Sequence, residues 1–350
     1  LVSALAAGNT VILKPSEMTP SVSAVMAQVI ADTFPSNEVA LFEGSLPTST
    51  ALLELPFDHI FFTGSPAVGK VVMAAAAKHL TSVTLELGGK SPVIVDETAN
   101  LRNAAEVMLW GKLTNCGQIC VAPDHVFVHE SVKDRFVAEC RKVLADRYGA
   151  TPEAQRACRD LTGVINQRHT QRIAGLLQDA VAKGARTLTG GEVDVAGCYI
   201  APTLLDQVPR DAAIMSEEIF GPLLPILTFR NVDEVVRQIN EGPKPLALYV
   251  FSQDKARTRR ILAQTSSGGV AINQVVLHYA QGNLPFGGVN NSGIGNAHGE
   301  FGFKTFSHER GVLKGGSINA AKMLFYPPYT GLKRRLVSQF LGMLKYRLPL

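Results

Sequence analysis

Short apolar runs alternate with amphipathic segments along the first hundred residues of the chain. Runs rich in β-branched residues that end at Gly, Pro or Ser predict strands, whereas apolar residues that recur every three or four positions predict helices. The predicted strands lie at 10–13, 39–42, 59–62, 83–87 and 93–95. The predicted helices begin near residue 20 and lie at 50–55 and 70–80. Strands that alternate with helices in this way predict a parallel sheet with right-handed crossovers.

The same alternation continues beyond residue 96. Helices are predicted at 101–112, 131–145, 166–183 and 233–240, and strands at 126–128, 200–205, 223–229 and 247–251. The strands are nearly continuous apolar runs, which is typical of a sheet covered by helices on both faces. We therefore expect an α/β fold: a doubly wound nucleotide-binding domain, incomplete because its first strands are not visible, followed by a second α/β domain.

Composition and charge narrow the class of protein. With 350 residues, 46% hydrophobic and 18% charged, the chain is long enough for two or three domains and is neither disordered nor a coiled coil. Eight Lys and Arg residues and no acidic residue follow Glu309, so the net charge of +4 belongs to the tail. The mildly acidic body gives no support for nucleic-acid binding. Five cysteines without a secretory signal indicate a reducing, cytoplasmic compartment.

The last twenty residues carry an apolar stripe between basic side chains. The stripe consists of Leu332, Leu336, Val337, Phe340, Leu341 and Leu344. Such a helix can lie on an anionic membrane surface, so residues 331–350 are a candidate for peripheral membrane contact. The alternative, which we favour, is a helix docked on the protein body or on a partner subunit.

The beginning of the chain is unusual. It starts at Leu1 rather than Met, and no positively charged stretch precedes its first apolar residues. This beginning is unlike a signal peptide and resembles the interior of a longer sequence. We expect the opening strands of the first sheet to precede Leu1.

Two segments are candidates for binding a nucleotide. Gly64, Ser65 and Gly69 lie between a predicted strand and a predicted helix, where free backbone N–H groups can bind a phosphate. Lys14 and Glu17 follow an earlier strand, which we place in the same sheet, and could bind ribose hydroxyls at its carboxyl edge. The alternatives are a simple strand-to-helix turn for the first segment and a solvated turn for the second.

A cysteine, Cys116 or Cys120, is a candidate nucleophile. It lies in the loop NCGQICVAP at 115–123, and a reactive thiolate needs access and a depressed pKa. The alternative, a buried and inert thiol, describes the expected state of Cys140, Cys158 and Cys198. A metal site that uses Cys116 and Cys120 with the histidines at 125 and 129 is rejected, because residues 126–128 between those histidines predict a strand.

Glu86 is a candidate general base. It lies on an apolar strand that leads into the turn GGK at 88–90, and burying a carboxylate is costly unless it has a task or a partner. Burial would raise its pKa, as a base that works near neutral pH requires. The alternative is an ion pair between Glu86 and Lys90.

Taken together, six motifs resemble those of the aldehyde dehydrogenase superfamily, in the same order along the chain. The motifs are GNTVILKPSE at 8–17, FTGSPAVG at 62–69, ELGGK at 86–90, NCGQIC at 115–120, EEIFGP at 217–222 and LPFGGV at 284–289. The segments CVAPD at 120–124 and NSGIG at 291–295 are similar to the class 3 branch. This branch oxidises fatty, aromatic and other medium-to-long aldehydes with NAD or NADP. One departure is Asn290, where Gly is usual, which we interpret as a feature of the branch.

The resemblance implies a role for each matching residue. Cys120 would be the nucleophile and Glu86 the general base that activates the hydrolytic water. His298 lies in the stretch that reaches the active-site area. The implied cofactor contacts are Lys14 and Glu17 to the adenosine ribose, Ser65 at the helix start with Gly64 and Gly69 to the pyrophosphate, and Glu218 and Phe220 to the nicotinamide end. Leu87 is a further expected cofactor contact.

The resemblance also implies a cofactor and an assembly. NAD is expected and NADP is the alternative, because the carboxylate of Glu17 would repel a 2′-phosphate. A homodimer is expected, without a metal and without nucleic acid. The expected domains are a partial NAD(P)-binding domain at 1–87, a catalytic domain at 88–295, and a C-terminal oligomerisation segment with the basic tail at 296–350.

Two other functions remain open. An acylating, coenzyme A-dependent aldehyde dehydrogenase uses the same thioester, but Glu86 disfavours it because no hydrolytic base is then needed. An inactive nucleotide-binding fragment is the other, because the family's oxyanion Asn would lie before Leu1. Losing one such donor typically lowers the rate by about 10²–10³.

Overall fold

The computed structural model describes residues 1–317, Lys322 and residues 325–345. Positions 346–350 of the predicted basic tail lie outside the described residues. The chain divides into two compact units, Leu1–Ser307 and His308–Leu350. The domain boundaries expected at 87/88 and 295/296 stay predictions.

The first unit is an α/β structure. Its strands are β1 (Val11–Leu13), β2 (Val39–Leu41), β3 (His59–Gly64), β4 (Ser82–Leu87), β5 (Pro92–Val95), β6 (His125–His129), β7 (Arg186–Thr189), β8 (Val193–Asp194), β9 (Tyr199–Ile200), β10 (Thr203–Asp206), β11 (Leu223–Phe229), β12 (Ala247–Phe251), β13 (Gly269–Ile272) and β14 (Gly293–Ile294). Its helices are α1 (Val2–Ala6), α2 (Pro20–Thr33), α3 (Leu46–Leu53), α4 (Pro66–Ala77), α5 (Leu101–Leu113), α6 (Lys133–Tyr148), α7 (Pro152–Ala157), α8 (Gln167–Ala182), α9 (Ala213–Ser216), α10 (Val232–Glu241), α11 (Lys255–Gln264) and α12 (Gly299–Thr305).

The largest sheet has seven strands in the order β13-β12-β5-β6-β11-β10-β7. All neighbouring strands are parallel except β10 and β7, which are antiparallel. Successive side chains of β5 enter different cores: Val93 and Val95 pack with α5 and α6, whereas Ile94 packs with α10 and α11. The sheet is therefore covered by helices on both faces, as the continuous apolar runs predicted.

The strands that precede Pro92 belong to two smaller sheets. β3 and β4 are parallel, and β14 joins β4 in an antiparallel pair. β1 pairs only with β2, in a separate two-stranded parallel sheet. Placing the Lys14 strand in the same hydrogen-bonded sheet as β3 and β4 was therefore wrong. The sequence pattern locates each strand but not its neighbour, because pairing depends on contacts distant in the chain.

Two further predictions differ from the structure. The helix expected at 50–55 is α3, which begins four residues earlier because Pro47 occupies its first turn. The strand expected at 200–205 is two short strands, β9 and β10. Pro202 lies between them, and a proline has no N–H to donate to a strand ladder.

The second unit contains helix α13 (Gly331–Lys345). Its apolar side chains, including those of Leu332, Phe340 and Leu341, are exposed to solvent. Searching the described residues finds no helix of the length and hydropathy that crossing a bilayer requires. The predicted amphipathic helix is thus present as a helix with an exposed apolar stripe.

Candidate active site

The loop that carries Cys120 begins with an unusual backbone. Directly after α5, Asn115, Cys116 and Gly117 adopt left-handed conformations, with φ of 51°, 56° and 73°. Asn and Gly adopt this conformation more readily than other residues. A side chain at Gly117 would collide with the backbone carbonyl of Gly221. The nucleophile loop therefore packs directly against the 217–221 loop.

The thiol of Cys120 is partly buried and stays protonated near neutral pH. Burial, followed by the Glu218 and Glu86 carboxylates, raises its pKa to about 11. Hydrogen bonds from the backbone N–H groups of Cys120 and Val121 act in the opposite direction. The depressed thiol pKa expected from the sequence is therefore absent. Attack by this thiol requires a proton acceptor nearby.

Glu86, the predicted general base, is a buried carboxyl within electrostatic range of this thiol. It lies on β4 opposite Thr63 of β3 and Gly293 of β14, and it is only 6% exposed. Both carboxylate oxygens are buried and have no hydrogen-bond partner among the described residues. Burial raises its pKa to about 8, so the group can exchange a proton near neutral pH. An ion pair with Lys90 is excluded, because Lys90 binds elsewhere.

Lys90 and Asp124 form a buried ion pair that joins the nucleophile loop to the segment before Phe220. The Lys90 ammonium lies 2.5 Å from Asp124 Oδ1 and also donates to the carbonyls of Ile214 and Glu217. Asp124 Oδ2 accepts from the backbone N–H of Ile219 at 2.9 Å. The sequence analysis missed Asp124; the signal was a lone acid immediately before an apolar strand.

Glu218 is the second carboxyl of the site and is partly buried. Burial raises its pKa to about 7, and the backbone N–H of Gly89 opposes this by donating to it. A side chain at Gly88 would collide with the Glu218 carboxylate, so the glycine pair after β4 forms its cradle. Phe220 follows with a φ of 46° and a partly exposed ring. The structure thus brings together Cys120, Glu86 and Glu218. Both carboxyls lie within electrostatic range of the Cys120 thiol.

The glycine-rich turn after β3 has the form of an anion-binding helix start. Ser65 is the N-cap of α4, and its hydroxyl accepts from the N–H of Val68 at 3.4 Å. Gly69 is buried, and a side chain there would press into that of Leu87. Gly69 therefore lets α4 pack closely on β4, at the end of the strand that carries Glu86.

Lys14 and Glu17 form an exposed ion pair at the carboxyl ends of β1 and β2. The Lys14 ammonium lies 3.2 Å from Glu17 and donates to the carbonyl of Gly44 at 3.0 Å. The backbone N–H of Glu17 and the Lys14 ammonium lower the pKa of Glu17. Glu17 thus keeps a negative charge where the sequence predicted the ribose contact.

The remaining candidates differ in burial. Cys140 is fully buried, but Cys158 and Cys198 are partly exposed, so describing those two as buried was wrong. The ring of His298 stacks on that of Phe286, with centroids 5.2 Å apart. A search of the described residues finds no group of three or more His, Cys, Asp or Glu side chains that could hold a metal ion.

The sequence matches the family model described as the aldehyde dehydrogenase family over residues 1–312. It is 47% identical over 332 residues to 4,4'-diaponeurosporen-aldehyde dehydrogenase of Staphylococcus aureus, covering 95% of this chain and 71% of that protein. Mouse aldehyde dehydrogenase family 3 member A2 is 44% identical over 342 residues, which cover 97% of this chain and 69% of that protein. The rat protein named aldehyde dehydrogenase, dimeric NADP-preferring, is 46% identical over 329 residues, covering 94% and 71%.

Solved structures have the same fold. The substrate-bound state of Staphylococcus aureus AldH superposes with a TM-score of 0.90 at 46% identity, covering 97% of this chain and 72% of that one. An indole-3-acetaldehyde dehydrogenase complexed with NAD⁺ gives a TM-score of 0.78 at 30% identity, covering 87% and 62%.

Proposed function

This chain belongs to the aldehyde dehydrogenase family, whose members are oxidoreductases acting on aldehydes, and we propose that it oxidises a medium-to-long aliphatic or aromatic aldehyde to the carboxylic acid. The observation that carries the proposal is Glu86: a buried, unpartnered carboxyl with a pKa of about 8 beside the Cys120 thiol. A hydrolytic base is needed for release of an acid and not for transfer to coenzyme A. The acylating alternative is therefore disfavoured.

In the proposed reaction Cys120 is the nucleophile and Glu86 is the base. The ionised form of Glu86 takes the Cys120 proton, and the sulfur attacks the aldehyde carbon to form a thiohemiacetal alkoxide. Loss of hydride leaves a thioester on Cys120, and Glu86 removes a proton from the water that hydrolyses it. Glu86 is suited to this work because its pKa lies close to neutral pH.

NAD or NADP, when bound, accepts the hydride. The residues present fit such a cofactor: the Ser65-capped helix start offers free N–H groups to phosphates. The Glu218 carboxyl, which lies against Gly88 and has a raised pKa, is suited to accept hydrogen bonds from hydroxyl groups of the cofactor. We propose NAD, because the charge of Glu17 disfavours a 2′-phosphate, although one relative is named NADP-preferring.

We also propose a cytoplasmic homodimer with domains at 1–87, 88–295 and 296–350; the name of the rat relative includes the word dimeric. For α13 we keep contact with an anionic membrane as a testable proposal, because its exposed apolar side chains adjoin Lys333, Arg334 and Arg335. Co-sedimentation with phosphatidylserine vesicles, with and without residues 331–350, tests it. Equal soluble fractions would discard the membrane contact.

An absorbance assay at 340 nm with hexanal or benzaldehyde tests the function. The chain with NAD or NADP should form NADH or NADPH and the acid; Cys120→Ser should form neither. Glu86→Gln should form at most one reduced cofactor per site, because it removes both the acceptor of the Cys120 proton and the base that activates the hydrolytic water. Cofactor binding without any reduction would favour the inactive nucleotide-binding fragment, and steady turnover by Cys120→Ser would overturn the proposed chemistry.

A further inference from the structure

Tyr249 connects the nucleophile loop to a strained turn within the same hydrophobic core. It lies in the middle of β12, the second strand from one edge of the seven-stranded sheet, and is completely buried. Its hydroxyl donates to the backbone carbonyl of Val121 at 2.5 Å. The same hydroxyl accepts from the backbone N–H of Val276 at 3.2 Å. Both hydrogen-bonding directions of this hydroxyl are therefore used, and both partners are main-chain groups.

The Val121 side of this bridge lies next to the thiol. Residues 119–122 form a tight turn that closes with a hydrogen bond of 2.9 Å from the Ala122 N–H to the Ile119 carbonyl. Cys120 and Val121 occupy the middle of that turn, and hydrogen bonding by their N–H groups lowers the pKa of the Cys120 thiol. The Val121 carbonyl shares its peptide plane with the Ala122 N–H that closes the turn, so a bond to this carbonyl fixes the turn in which the two N–H groups lie.

The Val276 side of the bridge is strained. Val276 has φ 60° and ψ −49°, and the Leu277 N–H reaches back to the Val275 carbonyl at 2.5 Å, which defines a γ-turn. This turn is rare, and a positive φ is unfavourable for a β-branched residue. Strain of this kind persists only where surrounding contacts hold it. The Tyr249 hydroxyl is such a contact.

We propose that Tyr249 is a positioning residue for Cys120, whose hydroxyl fixes the 119–122 turn against the strained turn at Val276. The proposal rests on the proposed function, in which Cys120 is the nucleophile. Burial raises the pKa of Tyr249, so its hydroxyl remains a proton donor at every working pH. Removing the hydroxyl would leave the Val121 carbonyl free to turn and would weaken the support of the thiolate.

Alkylation of Cys120 tests the proposal independently of turnover. The rate of modification by iodoacetamide is measured at pH 8 and 9 from the mass of the peptide that contains Cys120, with Cys158 and Cys198 as internal references. Tyr249→Phe should slow modification of Cys120 about tenfold and leave the reference cysteines unchanged, because a thiol pKa higher by one supplies tenfold less thiolate. Tyr148→Phe, at the end of α6, is the matched control and should change nothing.

A second substitution covers the case in which Tyr249→Phe does not fold. Incorporating 3-fluorotyrosine at position 249 keeps the ring and makes the hydroxyl a stronger donor, so modification of Cys120 should become faster. Unchanged modification of Cys120 in a folded Tyr249→Phe protein, or with fluorotyrosine, overturns the positioning role. Aldehyde oxidation that persists in Cys120→Ser overturns the proposed function instead, so the two failures are distinguishable.

Discussion

Replacing Glu86 by Gln should change how the stability of the protein depends on pH. In the folded protein the Glu86 carboxyl is buried without a partner, and its pKa is about 8 rather than 4.5. In the unfolded chain it ionises near 4.5. Between these two pH values the folded state holds a proton that the unfolded state has released. The free energy of unfolding of the wild type therefore falls as the pH rises from about 4.5 to about 8.

The size of this loss follows from the pKa. A tenfold change in a proton-binding constant corresponds to about 1.4 kcal/mol, so ionising Glu86 in the folded state costs up to about 5 kcal/mol. Only 6% of the residue is exposed, so solvent screens it little. A loss of this size is a large share of the stability of a typical domain, which is about 5–15 kcal/mol.

Urea denaturation at pH 5, 7 and 9 measures the effect. Glu86→Gln should lack this pH-dependent loss. The difference in the free energy of unfolding between Glu86→Gln and the wild type should therefore grow by several kcal/mol, in favour of the variant, between pH 5 and pH 9. Glu38→Gln is the control, because Glu38 is an exposed acid remote from the site. If the wild type and Glu86→Gln show the same pH dependence, Glu86 is already ionised or paired, and the reasoning from its burial is refuted.

Three other substitutions have defined outcomes. Gly88→Ala should displace the Glu218 carboxylate and weaken NAD binding, measured by calorimetry, at least tenfold. Gly175→Ala, whose methyl would meet no atom within 4 Å, should leave the NAD affinity unchanged, and equal affinities of the two variants would contradict the contact between Gly88 and Glu218. Asn290 has a φ of 55°, so Asn290→Val should lower the free energy of unfolding by about 1–2 kcal/mol and Asn290→Gly should not. Burial lowers the pKa of Lys112 from 10.5 to about 8, so the free energy of unfolding of the wild type, measured in urea, should rise from pH 8 to pH 10.5. Lys112→Met should lack this rise, and an identical rise in both proteins would contradict the lowered pKa.

The local features of the site were the ones that the sequence could predict. A carboxyl on an apolar strand before Gly88 and Gly89 identified Glu86 as buried, and its pKa of about 8 agrees with that expectation. The positive φ of Asn290 explains its departure from Gly, since asparagine tolerates this conformation and its amide also accepts from the Lys244 ammonium at 2.8 Å. In these cases the sequence signal, a Gly-Gly turn or a residue that tolerates a positive φ, lies at or next to the position itself.

The features that the sequence could not predict depend on distant contacts. Lys90 is only four residues from Glu86, so that pairing was a reasonable alternative, but its partner Asp124 is 34 positions away. Gly293 pairs with Glu86 across more than two hundred residues. Tyr249 looks like any aromatic residue in an apolar strand until its hydroxyl is seen against Val121. Such partners are set by how the sheets assemble, which periodicity does not encode.

The contact between Gly117 and Gly221 has a consequence for how this enzyme can diversify. Together with the Lys90–Asp124 pair, it holds the loop that carries Cys120 against the loop at 217–221. If these loops bind aldehyde and cofactor as proposed, a mutation that shifted the thiol to suit a new aldehyde would also shift Glu218. Substitutions elsewhere in the site are therefore the ones expected to change the substrate range alone.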